Sequence, residues 1–199
     1  MKMKGIIIFG VITLFFSCAT SSSKFIPQNY ERKAGKGAIF GTFSIYKKPR
    51  FAGYSLQFSK TDEFVEADTE NDRIYVKPNS GGFVEKLIPD FEYDENIATY
   101  YFFFERPVGE YSFTTLNIYS QGYLNSTFYN VKVNLPFEIK EKQLTYIGEI
   151  IFDPSSENQG VFLNIKDEYS RDVKKFKEKF PQTDWNLSIK NLSKLKIIE

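Results

Sequence analysis

The 199-residue sequence has no histidine, one cysteine, one tryptophan and two methionines. Without imidazole there is no Ser-His-Asp or Cys-His catalytic set and no histidine metal site. A single cysteine cannot close a disulfide within the chain. Excess charge is missing too: 26 Lys and Arg stand against 25 Asp and Glu, so no basic field draws nucleic acid to the protein. The apolar run at residues 5–16 is about twelve residues long, whereas a helix needs roughly twenty to span a bilayer. Asn79-Ser80-Gly81-Gly82 lacks the following Lys-Ser or Lys-Thr and helix of a phosphate loop, and reads as a hairpin or loop.

Aromatic residues are abundant, with 21 Phe and 13 Tyr making up most of an 18% share. They favour pleated, half-buried strands. Segments 38–46, 54–59, 73–77, 99–105, 111–119, 127–133, 137–140, 144–152 and 161–166 are short, rich in β-branched and aromatic residues, and separated by Gly, Pro, Asn or Asp; each reads as a strand. The alternation in 111–118 breaks once between Phe113 and Leu116, as a bulge requires. Residues 100–104 are apolar throughout, which suits a strand buried on both faces. A spacing of roughly ten residues per strand points to an antiparallel β-sandwich in one domain, residues 37–199. Over 167–180, Tyr169, Val173, Phe176 and Phe180 recur at helical spacing, with acids first, lysines later and Pro181 as the stop. This predicts one C-terminal amphipathic α-helix packed on the sheets, its contact extended by Trp185. The Lys174, Lys175, Lys177 and Lys179 cluster reads first as a solvated helix face and second as a contact for anionic headgroups.

At the N-terminus Lys2 and Lys4 precede the apolar run, and Ser17 stands just before Cys18. This order is that of a secretory signal, residues 1–17. Leu14-Phe15-Phe16-Ser17-Cys18 resembles the lipobox of bacterial lipoproteins in its looser form, with Phe15 where the strict pattern prefers Leu. The resemblance implies cleavage after Ser17, thioether lipidation of Cys18 and acylation of the new amino terminus, which also removes the thiol from chemistry. One acyl chain binds a membrane reversibly, and two or three hold stably. Residues 18–36 are expected as the lipidated cysteine and a flexible tether, with the domain starting near Gly35-Lys36-Gly37. Ala19 stands where an Asp would retain an enterobacterial lipoprotein at the inner membrane, which points to the outer membrane of a bacterial envelope.

Arg106-Pro107-Val108-Gly109-Glu110-Tyr111 forms a turn from proline's fixed φ and glycine's freedom. With Phe137-Glu138-Ile139-Lys140 and the segment from Leu144 through Thr145-Tyr146-Ile147-Gly148-Glu149-Ile150, it resembles prealbumin-like or carboxypeptidase-regulatory-like domains over about 60 residues. That resemblance implies an Ig-like sandwich of seven or eight strands and supplies no catalytic residues.

Carboxylates remain as candidate chemistry. Asp62, Glu63, Glu66, Asp68, Glu70 and Asp72 crowd one loop-like stretch, and Asp90, Glu92, Asp94 and Glu95 another. A glycosidase needs two carboxylates facing across a cleft, which spacing in loops does not show. Clustered oxygens suit calcium better, yet neither stretch has the EF-hand pattern; both read first as acidic surface loops, and no metal or cofactor is assigned. Phe83, Phe91, Tyr93 and Tyr123 are candidate binding aromatics or, more simply, packing residues. The expectation is a non-catalytic lipoprotein serving envelope structure or protein interaction, with the membrane as partner through Cys18. The alternatives are a module binding carbohydrate, peptide or another small ligand, and a carboxylate-based hydrolase.

Overall fold

The computed structural model describes residues 22–47, 53–61, 72–76, 88–121, 126–153 and 163–194. Within these, the strands are β1 (Lys36–Tyr46), β2 (Gly53–Lys60), β3 (Arg73–Val76), β4 (Ile97–Pro107), β5 (Gly109–Gln121), β6 (Ser126–Ile139), β7 (Leu144–Phe152), β8 (Leu163–Lys166) and β9 (Ile189–Lys190). A helix, α1 (Tyr169–Lys179), and 3₁₀ turns at Ser22–Phe25 and Trp185–Leu187 complete the set. The fold is mainly β. One sheet runs β4-β1-β7-β8, with β9 also paired to β7, and the other runs β3-β2-β5-β6.

The second sheet is antiparallel, as expected, but the first is mixed. β1 pairs antiparallel with β4 and parallel with β7, and β9 is parallel to β7. Strands β2 to β6 intervene between β1 and β7 along the chain, so no hairpin dictates the direction of that pairing. A second correction concerns segments 127–133 and 137–140, which form the single strand β6. Pro136 does not end it because β6 is an edge strand, where a missing N–H is tolerated.

The break expected near Phe113 is present. The ladder shifts between Phe113 and Thr115 against β6, and between Gln57 and Phe58 against β2. The proline-glycine turn carries the chain from one sheet to the other, since β4 and β5 lie in different sheets. Tyr111 Oη closes this corner by donating to the Pro107 carbonyl at 3.0 Å.

Strand alternation divides the buried residues in two. Ile39, Phe43, Ile45, Tyr100, Phe102 and Phe104 join Leu56, Phe58, Phe113, Leu116 and Leu135 of the other sheet in one apolar core. Ala38, Phe40, Tyr101 and Phe103 point the opposite way and pack with Val173, Phe176, Phe180 and Trp185. β4 is therefore buried on both faces, as its unbroken apolar run predicts. Burying each such Phe contributes roughly 1.5–3 kcal/mol. Trp185 is fully buried, and its indole N–H donates to the Phe180 carbonyl at 2.9 Å.

The tether expected over residues 18–36 is folded from Ser22 on. The Ser22–Phe25 turn lies against β4 and β3, edge strands of the two sheets. Ser23 and Ile26 are buried, and Tyr30 packs edge-on to Phe103 at 5.2 Å. The Tyr30 backbone N–H donates to Thr183 Oγ1 at 2.9 Å. Ile26 and Tyr30 supply the apolar surface that the small hydroxylated residues before them lack.

Candidate functional site

Beyond the aromatic cluster, the face of the first sheet that meets α1 turns polar. On β1 the same alternation that exposes Ala38 and Phe40 to the helix brings Thr42 and Ser44 there, and β4 adds Thr99. β7 would lose this phase without a bulge. Phe40 is opposite Tyr146, but Thr42 is opposite Glu149, so β7 carries an extra residue between them. Gly148 sits in that interval at φ +114°, a conformation L side chains rarely adopt. A Cβ there would lie 2.7 Å from Ile165 Cγ2. The bulge keeps Glu149 on the helix side while Ile147 and Ile150 stay in the apolar core.

Glu149 and Asp172 are both completely buried. Glu149 Oε1 accepts from Ser44 Oγ at 2.5 Å and from Tyr93 Oη at 2.9 Å. Ser44 also contacts Thr99 Oγ1 at 2.9 Å. Asp172 Oδ2 accepts from Thr42 Oγ1 at 2.8 Å and Tyr146 Oη at 2.7 Å. Arg171 joins the two carboxylates: its Nε and Nη2 reach Asp172 Oδ1 at 2.8 and 2.7 Å, and Nη2 lies 3.3 Å from Glu149 Oε2. The guanidinium stacks on the Tyr93 ring at 4.4 Å and meets Phe91 at 5.6 Å.

Burial dominates the electrostatics here. It pushes the Asp172 carboxyl above the ordinary carboxylate range, against the pull of Arg171, Tyr146 and Thr42. Burial works to lower the Arg171 pKa, yet Asp172 and then Glu149 and Glu168 hold it above its usual value. Burial, followed by the neighbouring carboxylate, raises Tyr146 beside Asp172 and Tyr93 beside Glu149. The arrangement fixes α1 to the sheet through charge-assisted hydrogen bonds in a water-poor layer.

Of the acidic residues that the sequence singles out, 62–70 lie outside the described residues, as do Cys18, Phe83, Tyr123 and residues 79–82. The others engage bases, hydroxyls or backbone groups rather than one another. Asp72 accepts from Arg106 at 2.8 Å, and Glu92 from Lys47 at 2.6 Å. Asp94 caps the Asn96 N–H at 2.7 Å, and the Glu95 carbonyl accepts from Lys47 at 2.9 Å. Asp90 accepts from Ser23 Oγ at 2.9 Å, Lys179 Nζ at 2.5 Å and the Tyr101 N–H at 3.0 Å. Among the described residues no group of three or more carboxylates or cysteines is placed to hold a metal ion. The helix lysines are largely engaged: Lys175 pairs with Glu178 at 3.1 Å, Lys177 donates to Asn186, and Lys179 reaches Asp90. None of the described helices is long and apolar enough to cross a membrane.

The buried carboxylates Glu149 and Asp172 and the half-buried Arg171 between them escaped the sequence reading. Two signals were there to find: Gly148 with Glu149 interrupting an apolar strand, and Asp172 one residue from Val173 on the helix's apolar stripe. Elsewhere, an open groove of about 400 Å³ lies along β5 and β6, lined in part by Glu110, Ser112, Asn134, Pro136 and Glu138.

No protein-family model matches the chain, and no curated protein does. A crystal structure of a leucine-rich repeat protein from Bacteroides thetaiotaomicron VPI-5482 is similar at 14% identity, with a TM-score of 0.33. The match covers 71% of this chain and 15% of that one, so the chain spans a small part of the other protein's length.

Proposed function

We propose that the chain is a lipid-anchored protein of a bacterial envelope, held by acyl chains on Cys18, and that its domain serves envelope structure or protein interaction. The observation that carries this reading is the placement of its sole cysteine directly after Ser17, at the end of the basic and apolar leader. The two sheets with a shared apolar core support assignment of the domain as an Ig-like or prealbumin-like β-sandwich. A non-catalytic role is supported by Asp172, whose hydrogen bonds from Thr42 and Tyr146 join α1 to the sheet and whose other oxygen is held by Arg171. Ala19 supports the outer membrane as the location.

A mass spectrum of the native N-terminal peptide, with membrane fractionation of wild type and Cys18→Ala, tests the anchor. The expected result is a diacyl or triacyl adduct on Cys18 and release of the variant from membranes. An unmodified thiol would sink the reading and redirect attention to a soluble exported role.

The groove along β5 and β6 favours a second reading, a module that binds a small ligand. Ligands of that kind would raise the melting temperature, because binding to the native state alone stabilises it. No rise across a panel of oligosaccharides and peptides would remove it.

A further inference from the structure

The segment that follows Cys18 is short before it becomes part of the domain. Only residues 19–21 separate the cysteine from the Ser22–Phe25 turn, and four residue steps reach at most about 14 Å when extended. The headgroup layer itself takes up about 5–8 Å on each side of a bilayer. A lipid on Cys18 therefore brings this turn to the headgroups.

The turn is firmly placed on the domain. Ser23 is buried with its Oγ donating to Asp90 at 2.9 Å, and Ile26 is buried behind it. Asp90 in turn receives Lys179 from the end of α1 and the backbone N–H of Tyr101 from β4. Within two residues of the Ser23 and Asp90 bond stand two large apolar side chains facing solvent: Phe25, 74% exposed, and Ile88, 50% exposed. Lys179, from the end of α1, is paired with Asp90 at this corner, and Phe25 and Ile88 supply exposed apolar area beside that pair.

We infer that the corner formed by Phe25 and Ile88 is a membrane-contacting surface, with Phe25 inserted at the boundary between headgroups and acyl chains of the bilayer that holds Cys18; the lipid anchor proposed above is its premise. The occupant is the lipid surface itself. An aromatic ring at that depth removes its apolar area from water, and the docked turn transmits that placement to the whole domain. The protein then rests against the membrane with the edge strands β3 and β4 on the lipid side and the β5 and β6 groove available to the aqueous phase.

The test uses the full-length Phe25→Trp protein extracted from membranes and reconstituted in vesicles of phosphatidylethanolamine and phosphatidylglycerol in equal parts, with and without bromine on the acyl chains. The native Trp185 is buried inside the domain, so wild-type protein supplies the unquenched background. Insertion predicts that bromolipid removes roughly half of the fluorescence added by the Phe25→Trp substitution and leaves the wild-type signal unchanged. Ile88→Asp, on a surface position that leaves the fold intact, should reduce that quenching. Mass analysis of the N-terminal peptide on the same samples separates the two ways of failing. A lipidated protein whose introduced indole is unquenched overturns the contact and leaves the anchor standing; an unlipidated Cys18 overturns the anchor and the contact together.

Discussion

The first sheet buries its two faces by different chemistry. Toward the second sheet it presents Phe43, Tyr100, Phe102, Ile150 and Phe152, and the layer between is apolar. Toward α1 it presents Phe40, Tyr101 and Tyr146 at one end, and Thr42, Ser44, Thr99 and Glu149 at the other. An apolar layer gains stability in proportion to area and without directional bonds. A buried ionic layer gains little net stability, since desolvating its charges costs about what their attraction returns. It is specific in position: Asp172 meets Thr42 and Tyr146 only when the helix lies at one height and one rotation. The aromatic end accordingly supplies the adhesion of α1, and the polar end sets its register.

The largest effect is expected at the aromatic end. Phe176 is fully buried against Phe40, Tyr101 and Trp185, with ring centroids at 5.0, 4.6 and 4.6 Å. Phe176→Ala should lower unfolding free energy by about 3–5 kcal/mol in urea titrations. A loss under about 1 kcal/mol would mean that the helix is not held by this cluster, and the contrast between the two ends would collapse.

A smaller loss is expected at the polar end. Arg171→Met leaves Glu149 and Asp172 buried without their cation and should cost about 2–3 kcal/mol, less than a fully buried pair because Arg171 keeps some solvent contact. Adding Glu149→Gln removes one orphaned charge and should restore part of the loss. Simple addition of the two single effects in that double-mutant cycle would show that the residues do not act as a unit.

The smallest effect sharpens the comparison through pH. Because the folded Asp172 carboxyl has a raised pKa, the folded state binds more protons than the unfolded chain in the window above the ordinary carboxylate range. Its contribution to stability is fully present below that range and is lost as pH rises through the raised value. The stability of wild type relative to Asp172→Asn should thus fall with rising pH across that window. A difference that stays flat in matched urea titrations would show that Asp172 titrates alike folded and unfolded.

Most strands were legible because their signals are local. The aromatic run of β4, the break after Phe113 and the proline-glycine corner each follow from a few neighbouring residues, and α1 follows from the spacing of Tyr169, Val173, Phe176 and Phe180. The union of two predicted segments into β6 was not legible, since Pro136 is permitted by the edge position of the strand, which is a property of the sheet. The packing of residues 22–36, which the sequence presents as part of a tether, was not legible for a related reason. Residues 22–36 have little local pattern, and their order comes from contacts of Ser23, Ile26 and Tyr30 with side chains far along the chain.

The cluster of Glu149, Arg171 and Asp172 shows the same limit at a site. Composition counts Asp172 among the acids that favour a helix's first turn and Glu149 as an ordinary polar residue, because propensity and charge patterning are summed over near neighbours. By itself the sequence determined the elements that are encoded by periodicity: strands of alternating or unbroken apolarity and one amphipathic helix. Tertiary structure alone decided that β1 lies parallel to β7, that the bulge at Gly148 turns Glu149 toward the helix, and that Arg171 sits between two carboxylates separated in sequence. Those choices depend on burial, which removes water as the alternative partner and so makes the identity of a distant side chain decide the fate of a charge.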